Sequence, residues 1–161
     1  MTGDVTNIVV AGLGGQGVIK ASDILADAVF RAGYDVKKAE VHGMSQRGGS
    51  VTSDVRFGRA VLSPMVPPGE ADYLLVLEET QVEPNRYRLR PGGVLLACTD
   101  IDPAALPTAK ALNVALLGML SAHLDIPQAA WLDALRGGLP EKLHEVNLRV
   151  FAMGRSAVRK E

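Results

Sequence analysis

The sequence predicts an α/β domain with a mostly parallel sheet flanked by helices, and three observations carry that prediction. Asn7–Lys20, NIVVAGLGGQGVIK, reads as a buried strand, a glycine-rich turn and the start of a helix. Ile8, Val9 and Val10 form the β-branched run of a strand buried on both faces. Beyond the turn, Val18, Ala21, Ser22, Leu25, Ala28, Val29 and Ala32 recur at helical spacing, and Gly33 stands where a C-terminal cap belongs.

The remaining elements follow in order. Tyr34–Val41 is a second strand, and its Lys37, Lys38 and Glu40 place it near an edge. His42–Ser50 mixes polar side chains with glycines and has no period, so it is a loop. Ser50–Phe57 alternates Val51, Ser53, Val55 and Phe57 against Thr52, Asp54 and Arg56, a half-buried strand. Gly58 breaks it, and Arg59–Ser63 is expected to return as a hairpin partner. Pro64, Pro67, Pro68 and Gly69 form a stiff connection to Ala71–Leu77, a central strand. Val82–Leu89 reads as a short helix despite Pro84, Pro91–Gly93 as a turn, and Val94–Ala97 as the next buried strand. Ala109–His123 is a helix apolar nearly all round, which belongs in a core or at a subunit interface; on the second reading the chain is at least a dimer. Ala129–Arg136 and a helix opened by Pro140 complete a single domain over residues 1–161.

Composition narrows the function. The 161 residues are 47% hydrophobic and 22% charged, ordinary values for a soluble protein, with only 4% aromatics, so aliphatic side chains fill the core. The net charge of −1 without any block of like charge offers no nucleic-acid face. One cysteine, Cys98, excludes an internal disulfide and a cysteine-ligated iron–sulfur cluster within these residues. MTGDVTN has no signal-peptide pattern, and the longest apolar run, Val114–Ala122, is too short to span a bilayer. The expectation is a cytoplasmic protein with no membrane partner.

Gly12, Gly14, Gly15, Gln16 and Gly17 satisfy G-x-G-x-x-G. Such a turn lets a backbone approach a phosphate at a helix N-terminus, and it equally serves close strand–helix packing. It is not a Walker loop, because no Gly-Lys-Ser/Thr occurs. His42 and Ser45 share a loop but lack a G-x-S-x-G elbow, so they read as loop-fixing polar groups rather than a hydrolytic pair. Arg47, beside Gly48 and Gly49, is a fork for a carboxylate or phosphate, or a salt bridge to a neighbouring subunit. His42, His123 and His144 are scattered and give no metal-ligand spacing. Cys98 reads as a small buried hydrophobe. No catalytic residue is assigned.

Two stretches together are more specific. NIVVAGLGGQGVIKASDILADA followed by AEVHGMSQRGGSVTSDVRFG resembles the gamma subunit or domain of the 2-oxoacid:ferredoxin oxidoreductases, and SPMVPPGEADYLLVLEETQ, RPGGVLL, ALNVALLGML and EVNLRVFAMG extend the likeness across nearly the whole chain. The HGMSQRGG form resembles the beta subunit of indolepyruvate:ferredoxin oxidoreductase more than the pyruvate-specific forms, which carry a different residue set before the Arg-Gly-Gly. The resemblance implies a Rossmann-like domain without its own redox centre. It implies an accessory subunit in the CoA-dependent oxidative decarboxylation of a 2-oxoacid such as pyruvate or indolepyruvate. Thiamine diphosphate and iron–sulfur clusters would sit on partner catalytic subunits, which pass electrons to ferredoxin, within a homo- or hetero-oligomer. The resemblance also implies that Gly12, Gly14, Gly15, Gln16, Gly17, Arg47, Gly48 and Gly49 face either the phosphates of coenzyme A or a partner subunit. The two glycine-rich loops are expected to form one site, as loops following neighbouring parallel strands, with Gly14 a position where a side chain would crowd turn and ligand.

A free-standing NAD(P)-binding oxidoreductase domain is the competing reading. G-x-G-x-x-G supports it, as does Glu40, 23 residues past Gly17, where a ribose-binding acid belongs. A non-enzymatic scaffold is the third.

Overall fold

The computed structural model describes residues 5–43 and 48–158. Among these residues, five strands form one sheet: β1 (Val5–Leu13), β2 (Asp35–His42), β3 (Ser50–Gly58), β4 (Ala71–Val76) and β5 (Leu89–Ala97). Its order is β2-β3-β1-β4-β5. β1 pairs parallel with β4, and β4 with β5, whereas β3 runs antiparallel to both of its neighbours. Four strands therefore point one way and β3 alone points back, so the sheet is mixed in pairing and mostly parallel in direction.

β1 is the middle strand because Ile8, Val9, Val10 and Ala11 can be buried on both faces, and each is fully buried. The edge position of β2 agrees with its charges. β2 and β3 form a hairpin, closed by the Gly43 N–H donating to the Ser50 carbonyl at 2.6 Å. That hairpin corrects two expectations. Arg59–Ser63 is not a strand but part of an irregular strap, and the partner of Ser50–Gly58 is the preceding strand. Pro91–Gly93 lies inside β5, at its one irregularity, where Gly92 takes a positive φ of 78°.

Helices α1 (Val18–Arg31), α3 (Leu112–Ser121), α4 (Gln128–Gly138) and α5 (His144–Ala157) pack together on the sheet face that carries Ile8, Val10, Val55 and Phe57. α1 ends as its glycine suggests: Gly33 has φ 95°, and the Gly33 and Tyr34 N–H groups return to the Phe30 and Val29 carbonyls, a Schellman closure. The one-turn helix α2 (Val82–Asn85), flanked by 3-10 turns, and the strap 59–70 serve the other face, where Val9, Ala11, Val66, Leu74 and Val76 make a smaller cluster.

α3 is buried from Asn113 to Ser121 within this chain, so of the two readings the core one holds and the subunit-interface one does not. α5 covers it by unusually close approach. A Cβ on Gly118 would fall on the Phe151 carbonyl, and one on Gly154 would fall on the Ala115 carbonyl. Two glycines, one on each helix, let the backbones touch.

Candidate functional site

The carboxyl ends of β1 and β4 meet where the chain changes direction across the sheet. From β1 it proceeds to β2 and β3 on one side, then crosses to β4 and β5 on the other. Ligands of open α/β sheets gather at this point. The glycine turn fills it.

Gln16 holds the turn in shape. Its Oε1 accepts the Leu13 N–H at 2.7 Å, its own N–H donates to the Leu13 carbonyl at 3.2 Å, and its Nε2 donates to Glu78 Oε2 at 2.8 Å. Glu78 follows β4, so the last bond ties the two strand ends together. Gly15 and Gly17 take φ values of 88° and 86°. Gly17 caps α1 without a side chain, and its carbonyl accepts a bond from Asn113 Nδ2 at 3.2 Å. Gly12 is required for packing, since a Cβ there would come within 2.8 Å of Val18 and 3.2 Å of Leu77.

The second glycine loop reaches the same place by a different route from the one expected. β1 and β2 are not neighbours, because β3 lies between them. They do run in the same direction, so the loops share an edge, and the Gly14 N–H donates to the Gly49 carbonyl at 2.9 Å. A Cβ on Gly14 would meet Gly48 at 3.5 Å, an ordinary contact, so Gly14 is less demanding than the sequence suggests. Arg47, with Met44, Ser45 and Gln46, lies outside the described residues.

The turn thus has two sides. Gly14 faces Gly48 and Gly49. Gly15, Gln16 and Gly17 face a cleft of about 620 Å³, whose other walls are Lys20, Leu77, Thr108–Val114, Leu139, Leu143, Val146 and Asn147. Its volume is that of a small-molecule site. Among the described residues, Lys20 and Lys110 line it and no carboxylate does, while Leu77, Leu112, Val114, Leu143 and Val146 supply apolar walls. This environment suits an anionic ligand with an apolar body. Lys110, Asn113 and Glu78 were missed from sequence because they come from elements 60 to 100 residues beyond the turn; only the strand order brings them to it.

Other candidate groups are dispersed. Cys98 immediately follows β5 and is half-buried; burial, and then the charges of Glu78 and Glu79, push its thiol up. Its reactive thiolate is therefore disfavoured. His123 packs against Tyr73 of β4, away from the glycine turn, with ring centroids 5.7 Å apart and the rings inclined at 54°. Among the described residues, no three His, Cys, Asp or Glu side chains gather where they could hold a metal ion, and no helix is long and apolar enough to cross a membrane.

The dinucleotide reading fails on topology. Glu40 is ion-paired with Lys38 at 2.8 Å, on a strand separated from β1 by β3. A ribose-binding acid needs the second strand beside the first.

Fold and crevice define an α/β module with a ligand-sized cleft at its switch point. The pyruvate ferredoxin/flavodoxin oxidoreductase family model matches residues 7–157, and the chain belongs to that family. Its sequence is 35% identical to indolepyruvate oxidoreductase subunit IorB of Thermococcus kodakarensis, over 95% of this chain and 96% of that one. Among solved structures, the gamma subunit of a keto/oxoacid ferredoxin oxidoreductase from Geobacter sulfurreducens superposes with a TM-score of 0.77 at 26% identity, over 94% of this chain and 97% of that one. The 2-oxoglutarate:ferredoxin oxidoreductase of Magnetococcus marinus, solved with 2-oxoglutarate, coenzyme A and succinyl-CoA, shares the fold with a TM-score of 0.80 at 23% identity; there this chain matches 96% of its own length and 31% of that chain.

Proposed function

We propose that the chain is the gamma-type accessory subunit of a 2-oxoacid:ferredoxin oxidoreductase, with indolepyruvate or another arylpyruvate as the substrate class. The observation that carries this reading is the 35% identity to an indolepyruvate oxidoreductase subunit over nearly the full length of both chains. Decarboxylation of a 2-oxoacid needs a thiamine ylid, and electron removal needs a redox cofactor. In this reading both belong to the catalytic partner, which passes electrons to ferredoxin. One cysteine cannot hold a cysteine-ligated cluster.

Coenzyme A is the ligand this chain would help to hold. The cleft fits it in kind: Lys20 and Lys110 for phosphates, the amides of Gly15 and Gly17 beside them, and apolar walls for the uncharged part. On the other side of the turn, Gly12, Gly14, Gly48 and Gly49 shape the backbone. Arg47, outside the described residues, is proposed from its sequence motif alone as a cation for the same ligand or for a partner carboxylate. When bound, CoA would supply the thiol that accepts the acyl group. This chain's own part is to bind and orient it.

The test is purification of the complex with the tagged chain, followed by 2-oxoacid-dependent dye reduction. Wild type should bring down a thiamine diphosphate-containing subunit that turns over an arylpyruvate with CoA. A Lys20→Ala/Lys110→Ala variant should raise KM for CoA about tenfold, as loss of charged hydrogen bonds implies. Unchanged KM removes CoA from the cleft; absence of any 2-oxoacid-oxidising partner removes the subunit assignment.

A further inference from the structure

Six large apolar side chains are exposed among the described residues; Phe30 and Leu143 belong to the helix layer, and the other four do not. Leu62 is 95% exposed, Tyr87 66%, Met65 54% and Val41 49%. All four lie on the sheet face opposite the main helix layer. Val36 packs into the helix-side core and Lys38 bonds to Asp23 of α1, so strand alternation turns Val41 the other way. Leu62 and Met65 belong to the strap, and Val66 of the strap donates its N–H to Asp54 on that face at 2.9 Å. Tyr87 precedes Arg88, whose guanidinium reaches the same Asp54 carboxylate at 2.7 Å.

The strap is held rather than loose. Asp35 accepts the Val61 N–H at 2.7 Å, and Arg56 donates to both the Ser63 carbonyl and its Oγ. Pro64, Pro67 and Pro68 fix its backbone further. Leu62 and Met65 are therefore presented in a preset geometry, which lowers the entropy lost on docking.

We propose that this face, centred on Leu62 and Met65 with Tyr87 and Val41 around them, is where the chain docks on the catalytic subunit of its oxidoreductase. The inference rests on the accessory-subunit reading and adds the surface. The area decides between occupants. The four side chains offer on the order of 500 Å², the apolar centre of a standard interface of about 800 Å² per partner, and well short of the extensive apolar face that obligate homodimers bury. A different protein, not a second copy, is the occupant, and the chemistry it presents is an apolar socket for Leu62 and Met65.

The experiment compares Leu62→Asp/Met65→Asp with Phe30→Asp, a control on the outer side of α1 where Phe30 is 68% exposed. Each tagged full chain is expressed in its native cell. Recovery is read as bound thiamine diphosphate and 2-oxoacid-dependent dye reduction, and circular dichroism checks folding. The strap variant should recover at least tenfold less activity while Phe30→Asp matches wild type. Leu62→Asp alone, at a side chain that supports no packing, should show a partial loss. Equal recovery by the strap variant and wild type overturns the docking face but leaves the subunit reading intact. No 2-oxoacid-oxidising partner with wild type overturns both. A wild-type homodimer in sedimentation that the strap variant dissolves also overturns the proposal, because the occupant is then a second copy.

Discussion

The two faces of the sheet are built by opposite means. On the helix side, four helices close over a continuous apolar layer, and their tightest contact depends on having no side chain at all, at Gly118 and Gly154. On the strap side, a small apolar cluster adjoins a buried ion pair: Asp54 is 1% exposed and Arg88 9%, joined at 2.7 Å, with Asp54 Oδ1 unpartnered among the described residues. The first face gains stability from excluded water and shape. The second gains position, since its polar bonds hold the strap at a defined place but add little net stability over an apolar equivalent. A face that must present a surface to a partner benefits from the second kind of construction.

The largest test of this contrast is at the helix crossing. Gly154→Leu should unfold the chain, because its Cβ falls on a backbone carbonyl that no rotamer change can move. We expect a loss above about 4 kcal/mol, the range reserved for gross core damage, read as absence of a cooperative thermal transition. A folded Gly154→Leu with a near-normal melt would mean that α5 can shift outward, and the helix face would not be the rigid one.

Next in size is the ion pair. Arg88→Ala leaves the Asp54 carboxylate buried without its cation, and should cost about 3–5 kcal/mol. Asp54→Leu/Arg88→Met, which removes both charges, should recover most of that loss by urea denaturation. The contrast sharpens if the double variant is stable but recovers less of the catalytic partner, since that separates strap position from fold stability. It breaks if Arg88→Ala is silent.

How much of this was legible in the sequence follows from the same contrast. The β1–turn–α1 unit was plain, because a β-branched run, four glycines and a helical stripe are all local. So was the polarity of β2, which marks an edge. Strand order was not: nothing in Ser50–Phe57 says that it inserts between β1 and β2, and the two glycine loops meet through that insertion rather than as neighbours. Asp54 sits on the polar side of an alternating strand, so it read as exposed; its partner is 34 residues away, in a turn without pattern. The all-apolar α3 allowed core or interface, and the deciding fact was the fit of Gly118 against a helix 36 residues on, which no periodicity encodes. For the site, Gly15, Gln16 and Gly17 were legible as a turn, whereas Lys110, Asn113 and Glu78 depended on tertiary structure.

The smallest effect is electrostatic and lies where the helix face meets the edge strand. Lys38 bonds to Asp23 of α1 and to Glu40 at 2.8 Å, pinning β2 to the helix layer. Burial disfavours its charge, but the bonds and the negative charges of Asp23 and Glu40 outweigh that and raise the ammonium above its ordinary value. A raised lysine stabilises the fold fully below the unfolded value of about 10.4, and that contribution is lost as pH rises through the higher folded value. Wild type should therefore lose melting temperature above about pH 10.4 faster than Lys38→Met, which has no such proton to release. The difference between the two chains is the measurement, because Tyr73 acts in the same direction: burial, then the Asp72 charge, raises its phenol, so its ionisation at high pH also destabilises the fold. Tyr73 is unchanged by the substitution and cancels. If the two melting curves stay parallel through alkaline pH, Lys38 is only a surface ion pair, and β2 is held by its ladder to β3 alone.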